Sequence, residues 1–545
     1  MAHDGGALVL DPKRDRLVIL ASSLGTVFEW YDFFVYGTLA ALLGNMFFPS
    51  ENAGAALLKS LAAFGVGFGV RPLGAIVFGY FGDLVGRKYT FLATITLMGI
   101  ATALVGALPT YATAGIWAPV LLLGLRVLQG LALGGEYGGA AIYVAEHAPP
   151  GKRGFYTSFI QASVVGGFLL SIVVVLGVTA AIGKDAFNAW GWRIPFLFSL
   201  LLLAVSLYIR LKLKESPVFA AMKSAGTTSK NPLRDAVRQP GNLRPVLVAL
   251  FGVAAGLTVI WYTAQFQTLF FLQQAARVDQ TSAQVLLGIS ACVAAPMFVA
   301  AGWLSDKIGR KPLMLAGYGA TLIFLFPLFH MIADAANPAL AAAMKAAPVR
   351  IQEASCAYNP FAQGKQDSEC AQVLDYFAKK GIGYHKVPGA TGAEGEITLT
   401  TIGPARISGL QPAKFEAALQ AAGYPGSVDP VTGKWDMRAD PEARDDGRIL
   451  FACIMLAVLS AMTYGPVGAI LVELFPARIR YTSLSVPYHL GTGYFGGFLP
   501  FVAQYIVVKS GNVFGGLWYT FGVVVVAFLV TLFWLPETRH RDITR

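Results

Sequence analysis

Side chains that carry chemistry are scarce in this chain. Of 545 residues only 6 are His and 4 are Cys, and charged residues make up 13%. Those His and Cys are scattered without metal-ligand spacing, and no nucleophile–base–acid constellation is visible, so no catalytic residue, metal or cofactor is expected and an enzyme is the weakest reading. The same shortage of charge excludes a soluble domain, since 55% of the residues are hydrophobic and the mean hydropathy is +0.58. A net charge of +11 is compatible with nucleic acid, but the bases cluster in short turns beside apolar runs. That is the distribution of a multi-pass membrane protein, so the expected partner is the lipid bilayer and not nucleic acid. A cleavable leader is not expected either. Lys13, Arg14 and Arg16 lead straight into an apolar segment too long for a signal-peptide core.

Apolar runs long enough to span a bilayer fall at roughly 17–45, 57–82, 90–108, 117–146, 155–182, 193–213, 245–273, 283–302, 312–334, 448–473, 480–508 and 513–535, numbered here spans 1 to 12. Lys and Arg concentrate in alternate loops and both tails. The short loops on the other side hold only Lys59, Lys184, Arg193, Arg277 and Lys509. This bias places both termini in the cytoplasm. The polar, basic stretch 214–244 reads as a cytoplasmic linker between a six-span half at 1–213 and a second half made of 245–334 and 448–545.

The halves repeat one another. GYFGDLVGRK (79–88) follows span 2 and GWLSDKIGRK (302–311) follows span 8, both of the form G-x-x-x-D-x-x-G-R-K. One acid, two glycines and two bases make a tight polar turn between membrane helices. AEHAPPGKRGFYTS (145–158) after span 4 matches VELFPARIRYTS (472–483) after span 10, and LKES (213–216) matches LPET (535–538). Parallel repeats of this kind place a single site between two halves. Asp83 and Asp306 are 223 positions apart whereas Glu146 and Glu473 are 327 apart, so about 104 extra residues lie between spans 9 and 10.

That extra stretch, 335–447, is polar and by topology extracytoplasmic. Helical patterns at 368–380 and 412–422 and a strand-like EITLTTI at 396–402 predict a small α+β domain capping the outer face. Cys356 and Cys370 both lie in it, and an oxidising compartment makes them a candidate disulfide, the alternative being two free thiols. A passive cap or a partner surface is the expected role, ahead of a second substrate site.

Charges within membrane spans are costly and usually face a cavity or a partner. Span 1 carries Glu29, Asp32 and Tyr36 on one helical face, span 2 carries Arg71, and span 4 carries Arg126, Gln129 and, nearer the cytoplasm, Glu136. The second half offers Tyr262 and Gln265 in span 7, Tyr464 in span 10, and Tyr488 and His489 in span 11. Trp30, Trp261 and the many Phe read as packing or interfacial anchors.

The loop motif resembles that of the major facilitator superfamily. EWYDFFVYG in span 1, RPLGAIVFGYFGDLVGRK in span 2, RVLQGLALGGEYGGA in span 4, EHAPPGKRG and ELFPARIRYTS together resemble its metabolite:proton symporter branch, whose members carry α-ketoglutarate, citrate, shikimate, or proline and betaine. The resemblance covers essentially all twelve spans but not the insertion. It implies an all-α membrane fold of two six-helix pseudo-repeats, normally a monomer, working by alternating access in the plasma (bacterial inner) membrane. It also implies that Asp83, Arg87, Asp306 and Arg310, with the repeated Glu146 and Glu473, form a cytoplasmic gate; the plainer reading is helix capping. Arg71 is the candidate for direct contact with a substrate carboxylate, against packing with Asp32. Tyr36, Gln129, Tyr262, Gln265 and Tyr488 are candidate companions. Arg126 is either a structural ion pair with a span 1 carboxylate or the cation whose partner must be protonated for turnover. Glu29 or Asp32 would carry the coupling proton, and Glu136 suits proton transfer and a structural hydrogen bond equally. A carboxylate paired with Arg126 or Arg71 loses its partner when an anionic substrate takes the arginine, then binds a proton, so the two move together. The implied function is proton-coupled symport of a small organic carboxylate. The alternatives are a zwitterionic osmolyte, disfavoured by the short tail after Arg539, and a transporter-like receptor signalling through its outer domain.

Overall fold

The computed structural model describes residues 12–49, 53–85, 87–135, 137–211, 241, 243–353, 356, 358–362, 365–388, 398–428, 435–476, 479–541 and 543. The expected linker, Gly86 and Glu136 lie wholly or mostly outside the described residues, as do the side chains of Asp83 and Arg87. The described residues are mostly helical, in twelve segments that follow the apolar runs. Span 1 is Pro12–Thr38 with Ala40–Phe47, span 2 is Ala53–Gly69 with Arg71–Val85, span 3 is Arg87–Ala107, and span 4 is Trp117–Gly134 with Tyr137–His147. Span 5 is Arg153–Ile182, and span 6 is a bent series ending in Ser199–Leu211. Span 7 runs over 243–275, span 8 is Gln280–Ile308, and span 9 is Arg310–Ala336. Span 10 is Asp446–Tyr464 with Val467–Leu474, span 11 runs over 480–510, and span 12 is Leu517–Trp534. Among the described residues, 8 helices are long and apolar enough to cross a bilayer alone, or up to 9 if the bent pair in span 6 counts as one. The others are broken or carry charge, as span 1 does with Lys13, Arg14, Arg16, Glu29 and Asp32.

Three of the breaks coincide with candidate site residues. Span 2 is interrupted at Val70, immediately before Arg71. Span 7 opens into a π-helical turn at Thr263–Gln267, which holds Gln265, and span 11 does the same at Gly491–Gly497, just after Tyr488 and His489. Such wide turns rotate side chains out of the regular helical register and recur at functional sites.

The two halves meet along two seams, span 5 against span 8 and span 2 against span 11. Backbones come very close within and between halves. A Cβ on Gly130 would lie 1.8 Å from the carbonyl of Gly67, and one on Gly302 would lie 2.5 Å from that of Gly154. Small residues four apart, as at Gly130 and Gly134, allow this approach in a membrane bundle. The loop-motif Gly309 has φ +106, a conformation other residues avoid, and it turns span 8 into span 9 without a spacer.

Between spans 9 and 10 the chain builds a four-stranded sheet in the order β2-β1-β3-β4. Strand β1 (Val349–Glu353) pairs in parallel with β2 (Tyr384–Pro388) and antiparallel with β3 (Leu399–Ile402), which pairs with β4 (Ala405–Ser408). Helices Glu369–Lys380 and Pro412–Ala421 pack on it through Leu374, Phe377, Phe415 and Leu419, over Val349 and Ile351. A short ribbon follows, β5 (Ser427–Val428) with β6 (Trp435–Asp436). Cys356 and Cys370 are joined by a disulfide.

This unit is fastened to the second half. Tyr384 N donates to Gly511 O at 2.9 Å, Ala439 N to Arg277 O at 3.1 Å and Asp445 N to Ala335 O at 2.9 Å. Lys509 Nζ donates to Tyr358 O, and Phe361 stacks 6.4 Å from Phe501 and 6.1 Å from Tyr505. Leu58 of span 2 joins the same buried apolar cluster, so the insertion also touches the first half.

Candidate functional site

The break at Val70 leaves Arg71 at the start of a new helical piece, fully buried, with Nε, Nη1 and Nη2 all lacking a hydrogen-bond partner among the described residues. Its guanidinium carbon lies 5.4 Å from the Trp30 ring and 5.2 Å from the Phe68 ring. Around it, within electrostatic reach, stand Tyr488, Tyr262, Tyr464 and Tyr137, and His489 feels the same charge. Tyr137 from span 4 stacks on Tyr488 from span 11 at 3.8 Å, and the Tyr488 and Tyr464 hydroxyls are 3.1 Å apart. Gln161 Nε2 donates to the Tyr137 hydroxyl at 2.6 Å. The Tyr262 hydroxyl, both amide atoms of Gln265 and both ring nitrogens of His489 are buried and unpartnered among the described residues.

Leaving so many donors unsatisfied in an apolar interior costs about 1–3 kcal/mol each, and more for a charge. A fold keeps such groups where their partners come from a ligand. The cluster draws Arg71 and Tyr137 from the first half and Tyr262, Tyr464, Tyr488 and His489 from the second, so it sits at the interface that the two seams define.

Arg126 occupies a second position. Its Nη1 donates to Gln129 Oε1 at 2.6 Å, and Gln129 Nε2 donates on to Thr102 Oγ1 at 2.7 Å. The guanidinium carbon lies 4.1 Å from the Phe33 ring, 4.5 Å from Tyr36 and 5.4 Å from Phe64. The expected ion pair between Arg126 and a span 1 carboxylate is therefore not formed among the described residues. Aromatic faces and the Gln129 amide take the place of the carboxylate. Gln129 is committed to that bridge, and the Tyr36 hydroxyl is committed to Ser60 O at 3.1 Å. Asp32 does not pair with Arg71. It is 5% exposed, with Oδ1 unpartnered among the described residues, and Glu29 is buried one turn away. Trp30 is more than the packing anchor expected of it, because it lies over Arg71. Tyr137 and Gln161 were missed by sequence reasoning; the only signal for Tyr137 was its place in the glycine-rich GGEYGG of span 4.

One end of the bundle is closed by charges. Asp306 accepts from the backbone N of Gly154 (2.9 Å) and Phe155 (2.8 Å), capping span 5 from the opposite half. Arg310 reaches Asp306 at 2.7 Å and Glu473 at 3.3 Å, and Arg480 reaches Glu146 at 3.1 Å. Glu537, just beyond span 12, caps span 9 by accepting from Arg310 N at 3.0 Å and Lys311 N at 3.1 Å. Rings from both halves pack beside the polar centre. Phe34 stacks on Trp261 at 5.0 Å, and Phe266 lies 5.6 Å from Phe34 and 5.4 Å from Phe64. A buried polar centre shared by two similar halves is the arrangement of a membrane carrier.

Known proteins agree with that class. The Sugar (and other) transporter model matches residues 17–245 and 437–545, and the MFS/sugar transport protein model matches 150–354. The chain belongs to this transporter family of the major facilitator superfamily; it is a multi-pass membrane protein and not an enzyme. It is 31% identical over 534 residues to the inner membrane metabolite transport protein YhjE of Escherichia coli (strain K12), covering 96% of this chain and 95% of that one. It is 38% identical to the shikimate transporter of the same organism over 60% of this chain and 74% of the relative, and 35% identical to its proline/betaine transporter over 59% and 66%. Among solved structures, the proton:xylose symporter XylE bound to 6-bromo-6-deoxy-D-glucose shares the fold, with TM-score 0.61 and 15% identity over 98% of each chain.

Proposed function

We propose that the protein is a proton-coupled symporter that moves a small organic carboxylate across the cytoplasmic membrane by alternating access. The observation that carries this reading is Arg71, a buried guanidinium with three unpartnered nitrogens at the meeting of the halves. A carboxylate supplies the two acceptors that such a fork binds in parallel. Tyr262, Gln265 and His489 offer further polar contacts, and Tyr488, stacked on Tyr137, adds a wall. Two similar proteins support the reading: the shikimate transporter, a relative whose substrate is an acid, and XylE, a proton:xylose symporter of the same fold.

Asp32 is the coupling group in this scheme, with Glu29 as its neighbour. A buried carboxyl without a cation partner exchanges a proton more readily than one locked in an ion pair. Arg126, held by Gln129 and the rings, keeps a positive field over span 1 and favours release of the proton once the substrate's negative charge has left. The Lys and Arg bias places the charged closure, the linker and both termini in the cytoplasm, with the insertion outside. No cofactor beyond the proton is invoked, and the unit is a monomer.

The second reading, a zwitterionic osmolyte, is favoured by the proline/betaine relatives and by the tyrosines around Arg71, whose faces suit a quaternary ammonium. It too puts a carboxylate on Arg71. Uptake into proteoliposomes separates the two. Shikimate, α-ketoglutarate, citrate, lactate, proline and betaine are each offered with and without an inside-alkaline gradient. Gradient-driven accumulation of an acid supports the proposal, accumulation of only proline or betaine replaces it with the second reading, and uptake indifferent to the gradient removes the proton.

A further inference from the structure

We infer that the insertion and the bundle together form a headgroup site for a zwitterionic, primary-amine phospholipid, of the phosphatidylethanolamine type, at the insertion-side surface of the membrane. A cavity of about 390 Å³ lies between the ends of spans 7, 9 and 12 and the insertion, floored by Tyr384 and Gly511, whose backbones are hydrogen-bonded. That volume is within the range of small-ligand sites.

Its walls lead out to the lipid. On span 9, Ile323, Phe326, His330 and Asp334 follow one another at three- and four-residue steps, hence along one face. Ile323 is 65% exposed in the middle of the helix, and the last three line the cavity. Phe326 lies 4.8 Å from the ring of Trp518 and 6.1 Å from Phe521, and His330 lies 4.1 Å from Phe514. Trp518 is 59% exposed at the start of span 12, the level at which tryptophan meets lipid headgroups. An acyl chain fits against Phe521, Phe326 and Trp518, with the headgroup turned inward under the insertion.

The polar rim selects the headgroup. Asp334 and Lys345 are paired at 2.8 Å, yet both side chains stay open to solvent. An ion pair of that kind is weak and exchanges partners easily. His330 from the bundle and His385 from β2 add two imidazoles. One acid and one base match a headgroup that carries an ammonium and a phosphate. A glycerol headgroup offers the phosphate to Lys345 but no cation to Asp334, and a choline has no N–H for it. Since Lys345 and His385 belong to the insertion and His330, Asp334 and Trp518 to the bundle, such a lipid bridges the two.

The test uses the full-length protein, delipidated in detergent and mixed with equimolar palmitoyl-oleoyl phosphatidylethanolamine, phosphatidylcholine and phosphatidylglycerol, with retained lipid read by native mass spectrometry. The expected result is a single retained phosphatidylethanolamine, favoured about tenfold over the others and weakened about tenfold in Asp334→Ala and in Lys345→Ala. Both side chains are partly exposed, so both variants are expected to fold. Ile289→Ala, on the exposed face of span 8, serves as the control and leaves retention unchanged. Equal retention of the three lipids, or full retention in both cavity variants, overturns the proposal. Displacement by free phosphoethanolamine at the lipid's own concentration overturns the assignment to a membrane lipid.

Discussion

Glu146 and Arg480 meet at 3.1 Å across the two halves, and Glu473 and Arg153 meet at 3.8 Å in the reverse sense. Each acid stands seven positions before the base of its own repeat, so the two repeats exchange partners. The two locks are unequal, because Glu473 also holds Arg310, which is 1% exposed, whereas Glu146 is 12% exposed. Breaking a buried pair leaves an uncompensated charge and costs about 3–5 kcal/mol, while a pair nearer water is worth about 1 kcal/mol or less. Glu473→Gln is therefore expected to destabilise this end by about 3 kcal/mol, the low limit because Asp306 still holds Arg310, and Glu146→Gln by about 1 kcal/mol, because Arg480 keeps Phe475 O and Ile543 O. Hydrogen exchange over 153–158 and 302–311 reads the difference, and equal protection in both variants contradicts the ranking.

On the proposed reading, Arg71 and Asp32 separate kinetically. Arg71→Lys keeps the charge but loses the fork, and a lost charge-assisted hydrogen bond of about 1.5–3 kcal/mol raises KM about 10- to 150-fold. Asp32→Asn is expected to abolish accumulation driven by the pH gradient while counterflow exchange of preloaded substrate continues. Gradient-driven accumulation at the wild-type level in Asp32→Asn moves the coupling proton to another group, with Glu29 the next to test.

The disulfide braces a part of the insertion that grips span 11. It closes a loop with a sequence separation of 14, and a loop near that length constrains the unfolded chain by about 3 kcal/mol. Within the loop, Tyr358 accepts from Lys509 and Phe361 stacks on Phe501 and Tyr505. Reduction with dithiothreitol is expected to raise hydrogen exchange and proteolysis at 358–367 while spans 5 and 8 stay protected. Unchanged protection at 358–367 means that the stacking and the Lys509 contact hold the loop without the bridge.

The apolar runs and the repeated loop motif made the bundle legible, since membrane spans advertise themselves by length and by the bases at their ends. In the insertion, the helix at 369–380 and strand β3 were readable from periodicity. Strands β1 and β2 were not, because VRIQE and YHKVP each hold charged or polar residues between few apolar ones. At the site, the expense of burying a guanidinium singled out Arg71 and Arg126. Their surroundings were out of reach of any local pattern. Arg126 meets Gln129 one turn on through Nη1 and rings from spans 1 and 2, with Nε and Nη2 unpartnered among the described residues, and the Tyr137–Tyr488 stack joins residues from different halves. Charge in a sequence suggests a countercharge, and here the amide and the aromatic faces answered instead.

The tail after span 12 supplies a pH-dependent clamp. Partial burial pushes the Glu537 carboxyl up, but backbone N–H donation from Arg310, Arg539, Lys311 and Thr538 outweighs it and holds the group below the ordinary glutamate value. A carboxyl whose folded value is depressed contributes stability that is complete above its unfolded value, about 4.3, and is lost as pH falls through the folded one. Between pH 7 and pH 5 the clamp is expected to be constant, and below about pH 4 it releases span 9. Glu537→Gln removes the charge at every pH, so its unfolding midpoint should lie below wild type at pH 7 and approach it at pH 3. A constant gap between the two proteins across that range assigns the tail's contribution to packing and not to the carboxylate.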